Sequence, residues 1–278
     1  MAALTSVNTT IRDEVLVKEV LHALDKKFVL LPWLNTGFEG ELKEKGDTVA
    51  IQILPNITFS TGTTAGGTIT PAAFTITKES LVIDTLKQAG ITITDYEQVI
   101  VNFDLMAKFA DRFAISAKEV IETAAFTVLK SGIASANKLN EASPVTITAA
   151  NVFGYIETMR VALSSNNAFG ESALFVSPSI ASFIRQSPIY DGYREGLRVR
   201  EEGYIMKISG FEVYESNNIG SNHMVGTVRD SVNFCVQFNK YKVVELTNAF
   251  AHNVLAEICM GGLVASVNNK ASVTLKYA

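Results

Sequence analysis

The sequence predicts an α+β fold in which a long extended hairpin projects from a body built around one long helix. Three observations predict it. From Thr48 to Thr77 the chain carries no Asp, Glu, Lys or Arg, and Thr and β-branched residues surround Gly62, Gly66 and Gly67. That is the pattern of two strands joined by a glycine-rich tip. From Asn102 to Ser131 apolar residues recur at helical spacing, which predicts a helix of about 45 Å. Beyond residue 145, short strands and short amphipathic helices interleave between turn residues, the mark of a mixed layer of helices and strands.

The hairpin has the sharper consequence. Arms of about eleven to fifteen residues reach roughly 35–50 Å, whereas a globular body of this length has a radius of gyration of only about 19 Å. Such a ribbon overreaches its own body, and an uncharged protruding ribbon aggregates unless a partner covers it. Pro55 within the first arm suits a sheet edge. Phe59 and Phe74 are the only aromatic residues of the stretch and flank the glycine tip, so they are the candidate anchors on a neighbouring copy.

Composition agrees. Charged residues make up 19% of the 278, against about 25% in ordinary soluble domains, and the mean hydropathy is +0.21. A folded surface of about 12,000 Å² leaves room for a sizeable core in one or two domains. No apolar run approaches the roughly 20 residues that span a bilayer, and the N-terminus lacks the basic-then-apolar layout of a signal peptide. A large buried assembly interface accounts for the apolar excess. The net charge of −4 and the lack of a Lys/Arg run argue against tight polyanion binding. The densest charge cluster, Arg194, Arg198, Arg200, Glu201 and Glu202, mixes both signs and reads as a salt-bridged subunit contact or a solvated loop.

In chain order, residues 10–31 read as an amphipathic helix. Thr10 with Asp13 forms its capping box, Val17, Val20, Leu21, Leu24, Phe28 and Leu31 its apolar face, and Pro32 its end. It is a plain surface helix of the core or an arm that packs on a neighbour. A polar turn ending at Gly46-Asp47 leads into a strand, Thr48–Ile53. Extended segments follow at Phe74–Thr77 and Leu81–Ile83, and Gly90–Asp95 alternates as a half-buried strand. On the long helix, Leu105, Phe109 and Phe113 form a stripe that Val120, Ala124 and Val128 continue, with Gly132 as its stop. Heptads are not kept, which disfavours a coiled coil. A second helix, Thr148–Ser164, buries Val152, Ile156, Met159 and Leu163. A strand over Ala173–Val176 meets a helix capped by Ser177-Pro178. Gly203–Tyr214 is a hairpin turning at Ser209-Gly210. Val232–Phe238 and Lys242–Thr247 are two strands, Val254–Val267 an apolar run broken by Gly261-Gly262, and Ser272–Tyr277 a terminal strand.

Residues that could carry chemistry are few. The three histidines, His22, His223 and His252, show no metal-binding spacing. Cys235 and Cys259 lie in apolar segments outside any C-x-x-C and read as buried free thiols. Ser177 sits at a strand-to-helix turn, but its context is Phe-Val-Ser-Pro rather than G-x-S-x-G, and capping explains it. The glycine cluster of the hairpin lacks the G-K-[ST] of a phosphate loop. No catalytic, cofactor-binding or metal-ligating residue is assigned.

Three stretches in order carry a resemblance over nearly the whole chain: Lys45-Gly-Asp-Thr-Val49, Ala173-Leu-Phe-Val-Ser-Pro178, and Gly203-Tyr-Ile with Ser209-Gly-Phe-Glu-Val-Tyr and Ser216-Asn217. Together with the arm, the extended loop and the long helix, the chain resembles the major capsid protein of tailed phages, the Hong Kong 97-type fold, in the manner of uncleaved coat proteins. The resemblance implies an N-terminal arm leading into the peripheral domain (1–47), an extended loop (48–83), and a peripheral domain with its spine helix (84–144). It further implies an axial domain (145–228), returning peripheral strands (229–260) and a C-terminal segment returning to the axial domain (261–278). It implies a virion shell of hexamers and pentamers around phage DNA, assembled in the host cytoplasm with a scaffolding protein, a portal and a possible decoration protein, and no cofactor. The spine helix starts too near the N-terminus for the cleaved scaffolding segment of some members, which implies an external scaffold. No lysine lies between Lys45 and Lys78, so the loop tip cannot form the lysine–asparagine crosslink of others. An encapsulin-type compartment shares the fold and is the alternative. A small-molecule enzyme on an unrecognised α/β scaffold is the more distant one.

Overall fold

The computed structural model describes residues 28–38, 44–53, 75–94, 105–187, 204–220, 222–246 and 250–278. Its strands form three sheets. Strands β1 (Thr48–Ile53) and β2 (Thr77–Val82) pair as an antiparallel ribbon. Strand β3 (Thr85–Thr94) lies beside β10 (Ala251–Leu263), which pairs with β9 (Asn233–Glu245). The six-stranded sheet orders β4 (Lys138–Leu139), β11 (Ser272–Lys276), β8 (His223–Val228), β5 (Ser172–Val176), β7 (Phe211–Glu215) and β6 (Tyr204–Ile208). The helices are α1 (Leu105–Gly132), α2 (Val152–Ser165) and α3 (Pro178–Gln186).

Helices α2 and α3 cover one face of the six-stranded sheet. Val152, Ile156, Met159 and Leu163 of α2 are all buried against Leu174, Val213 and Leu275, as the helical spacing predicts. The Ser177 side chain accepts from the Ile180 amide and Pro178 opens α3, so the cap forms where the sequence places it. Ser209 and Gly210 both take positive φ, 48° and 86°, the requirement of a type I′ turn between twisted strands. Long helix α1 packs its own core against β9, β10 and Phe175 of β5, with Phe126 edge-on to Phe175 at 5.4 Å.

Four expectations change. The last turn of the first helix is absent: residues 28–30 are not helical, and Leu31–Trp33 is a single 3-10 turn. Pro32 removes a donor and disfavours helix at the residue before it. The rest of that helix lies outside the described residues. On α1, the buried face is Ala114, Ala117, Ile121, Ala125, Phe126 and Leu129; of the expected stripe, Ala124 and Val128 are half-buried at its side and Val120 is exposed. The small alanines let neighbouring chain approach, and the larger valine at 120 is left on the flank. The two strands expected over 232–247 are one, β9, kept continuous by a register shift opposite Glu257–Ile258. A β-bulge absorbs the extra residue there. Gly261 and Gly262 do not break their apolar run but lie inside β10. A Cβ on Gly261 would sit 2.0 Å from the Val82 carbonyl oxygen, and one on Gly262 would sit 2.7 Å from Phe234 and 2.8 Å from Val128. These glycines let the ribbon root and α1 close on opposite sides of one strand.

Candidate assembly surfaces

The ribbon begins at a fixed root. The Gly46 amide donates to the Ile83 carbonyl at 2.9 Å and the Ile83 amide to the Asp47 carbonyl at 3.1 Å. Leu81 and Ile83 are buried with Cys235 and Cys259 beneath them. The Glu79 carboxylate accepts the Ser266 amide at 3.0 and 3.2 Å, tying β2 to the chain after β10. From that root, six residue pairs from Thr48↔Val82 to Ile53↔Thr77 hold the strands in antiparallel register. They carry the ribbon out by about 20 Å. Val49, Ile51 and Ile53 are only half-buried along it, and Ile76 is exposed beside its outer end. The expected anchors Phe59, Gly62, Gly66, Gly67 and Phe74 lie in 54–74, outside the described residues. So do Arg194, Arg198, Arg200, Glu201 and Glu202, in 188–203.

A second surface escaped the sequence reading. The sequence predicts a half-buried strand from Gly90; strand β3 starts at Thr85, and from Lys87 to Thr94 only Ile93 is buried. Ile91 and Leu255 are each 44% exposed, and Phe250 is 88% exposed. Register pairs Gly90 with Leu255 and Ile91 with Val254, so the two exposed aliphatics stand on opposite faces of the sheet. The face bearing Leu255 carries hydrogen-bonded cross-strand pairs, Gln88 with Glu257 and Thr92 with Asn253, each at 2.7 Å. Alternation in Ile91-Thr-Ile-Thr marks the strand but cannot tell which face its own chain leaves uncovered. A third feature is a cleft of about 680 Å³ between α1 and this sheet, lined by Val120, Ala124, Val128, Phe234, Met260 and Asp84.

Groups with potential chemistry are otherwise engaged. Beyond its cap, the Ser177 hydroxyl bonds Tyr277 Oη at 2.7 Å and Ser179 Oγ at 2.8 Å. Both cysteines are buried thiols outside any disulfide. Burial first, and then the nearby Glu257 charge, pushes the Cys259 thiol above its ordinary range, away from the reactive thiolate. Among the described residues no group of His, Cys, Asp and Glu side chains could hold a metal ion, and no helix is long and apolar enough to cross a membrane. The described surface offers rooted strands and uncovered apolar groups.

The family model for phage capsid protein matches residues 77–249, from β2 through the body to the end of β9. The chain belongs to the phage capsid protein family. Its role is structural, as a shell-forming protein of the phage capsid. Solved structures share the fold. One from Mycobacterium phage Che8 is 20% identical with a TM-score of 0.68, over 90% of this chain and 91% of that one. The capsid structure of cyanophage P-SCSP1u is 10% identical with a TM-score of 0.69, over 91% of this chain and 89% of that one. A virus-like particle from Pyrococcus furiosus is 15% identical with a TM-score of 0.57, over 95% of this chain and 99% of that one. Comparison with curated protein sequences gives no match. The capsid protein thus has the Hong Kong 97-type α+β fold that its order of elements resembles. Between the two shell types weighed from sequence, the family match favours the phage capsid.

Proposed function

We propose that this capsid protein is the repeating subunit of a shell of hexamers and pentamers, held together by an extended loop that lies on the neighbouring copy. The observation that carries this reading is the rooted, paired ribbon leading into a charge-free segment, in a chain of the phage capsid family. In this reading the domains follow the boundaries set out above. Phe59, Phe74 and the glycines between them form the tip contact. Arg194, Arg198, Arg200, Glu201 and Glu202 form salt bridges between subunits. The protein is not an enzyme. It assembles in the host cytoplasm on a scaffolding protein, joins a portal, and faces packaged DNA without gripping it, in keeping with its net charge of −4.

Electron microscopy with intact mass measurement tests the proposal. Subunits supplied with scaffold are expected to form closed particles tens of nanometres across, and the particles should release single chains near 30.1 kDa. A small soluble oligomer under all salt and pH conditions, or ladders of covalent multimers, counts against it.

A further inference from the structure

Helix α1 carries one buried charged side chain among the described residues: Glu122, 1% exposed. Its two carboxylate oxygens serve two distant parts of the chain. Oε1 accepts the Val29 amide at 2.6 Å. Oε2 accepts the Asn218 side-chain amide at 2.7 Å. Val29 lies just before Leu30, Trp33 and Leu34, which enter the core. Asn218 is the middle residue of the 3-10 turn Asn217–Ile219 between β7 and β8 of the six-stranded sheet. A second fastening holds the same turn from the same helix. Lys130, about 12 Å along the axis from Glu122, donates from Nζ to the Ile219 carbonyl at 2.7 Å. Gly220, at φ +82°, lets it approach, since a Cβ there would lie 3.1 Å from Nζ.

Sequestering a carboxylate is costly, and well-packed apolar residues often serve stability as well or better. What a carboxylate offers and a hydrocarbon cannot is two acceptors on one rigid group. If either partner leaves, the carboxylate is freed to turn or to admit water, and the remaining bond weakens with it. We propose that Glu122 is a coupling joint: it makes the seating of residues 28–30 on α1 and the seating of the 217–220 turn one linked equilibrium. A change at residues 28–30 is thereby transmitted to the six-stranded sheet through one side chain. Linkage of this kind is reciprocal. It is a property of the subunit, so it stands apart from the proposed contacts of the shell.

Amide hydrogen exchange on the full-length subunit tests it. Asn218→Ala removes one partner of Glu122 and leaves residue 29 untouched. It is expected to speed exchange of the Val29 amide by about fivefold or more, the lower range of measured couplings between sites. Lys130→Met loosens the same turn without touching Glu122; with Asn218 in place it is expected to speed exchange over 217–220 and, through the carboxylate, at Val29, whereas in the Asn218→Ala background it should add nothing at Val29. Should Asn218→Ala fail to fold, Asn218→Ser gives the same reading with a smaller perturbation. An unchanged Val29 amide in the Asn218 variant overturns the proposal. So does an acceleration at Val29 by Lys130→Met that is as large in the Asn218→Ala background as without it, which places the coupling in general packing rather than in the carboxylate.

Discussion

Gly261 shows how far a single atom reaches. Its place in β10 admits no Cβ, because the Val82 carbonyl oxygen would lie 2.0 Å away, and Val82 closes the root of the ribbon. Gly261→Ala forces backbone against backbone and is expected to destabilise the subunit by about 1–3 kcal/mol, the usual range for overpacking. Gly154, on the exposed side of α2, has nothing within 4 Å of its Cβ position. There the same substitution is expected to stabilise by about 0.5–1 kcal/mol, because alanine loses less backbone freedom in a helix. Thermal unfolding of the two variants side by side checks both signs. In the sequence the two glycines look alike, since what distinguishes them is the strand lying across one of them. By contrast, the local chemistry at Ser177-Pro178 and Ser209-Gly210 is legible without tertiary information, because a cap and a type I′ turn are satisfied by residues adjacent in the chain.

At the scale of elements, the existence of α1, α2 and β1 is readable from period alone, and their faces are less so; β2 runs from Thr77 to Val82, straight through Lys78–Ser80, where the sequence reads two separate extended segments. The buried stripe of α1 uses alanines at 114, 117 and 125, which carry little hydrophobic signal but allow close approach. A reading that continues from Phe113 at helical spacing lands on Val120, Ala124 and Val128 instead. Ile121→Ala is therefore expected to cost about 2–5 kcal/mol, as for other fully buried aliphatics. Val120→Ala, on a residue 37% exposed at the edge of the cleft, should stay within about 0.5 kcal/mol. Denaturant midpoints of the two neighbours measure the difference, and equal costs would restore the stripe read from sequence. Over 232–247 the sequence reads two strands, whereas a register shift at Asn239 carries one strand through, because a bulge needs no turn residues to mark it.

At the scale of the whole molecule, the account rests on one contrast. The body closes its own cores beneath α1 and beneath α2 and α3. The ribbon and the outer end of the β3–β10–β9 sheet leave apolar groups uncovered. A low charge fraction and a charge-free hairpin made that excess legible in the sequence. Which strand faces it leaves bare was not, because coverage by distant parts of the chain has no local signature. The measurement that tests the central claim most directly is a paired one on Phe59→Ala with Phe74→Ala: subunit melting temperature beside particle yield by gradient sedimentation. Covering each ring on a neighbour contributes about 1.5–3 kcal/mol, repeated at every copy in a shell. The account predicts folded subunits that melt close to the wild-type temperature and fail to form stable particles. A double variant that unfolds outright, while the surviving protein assembles normally, would contradict it and make the loop part of the subunit's own core.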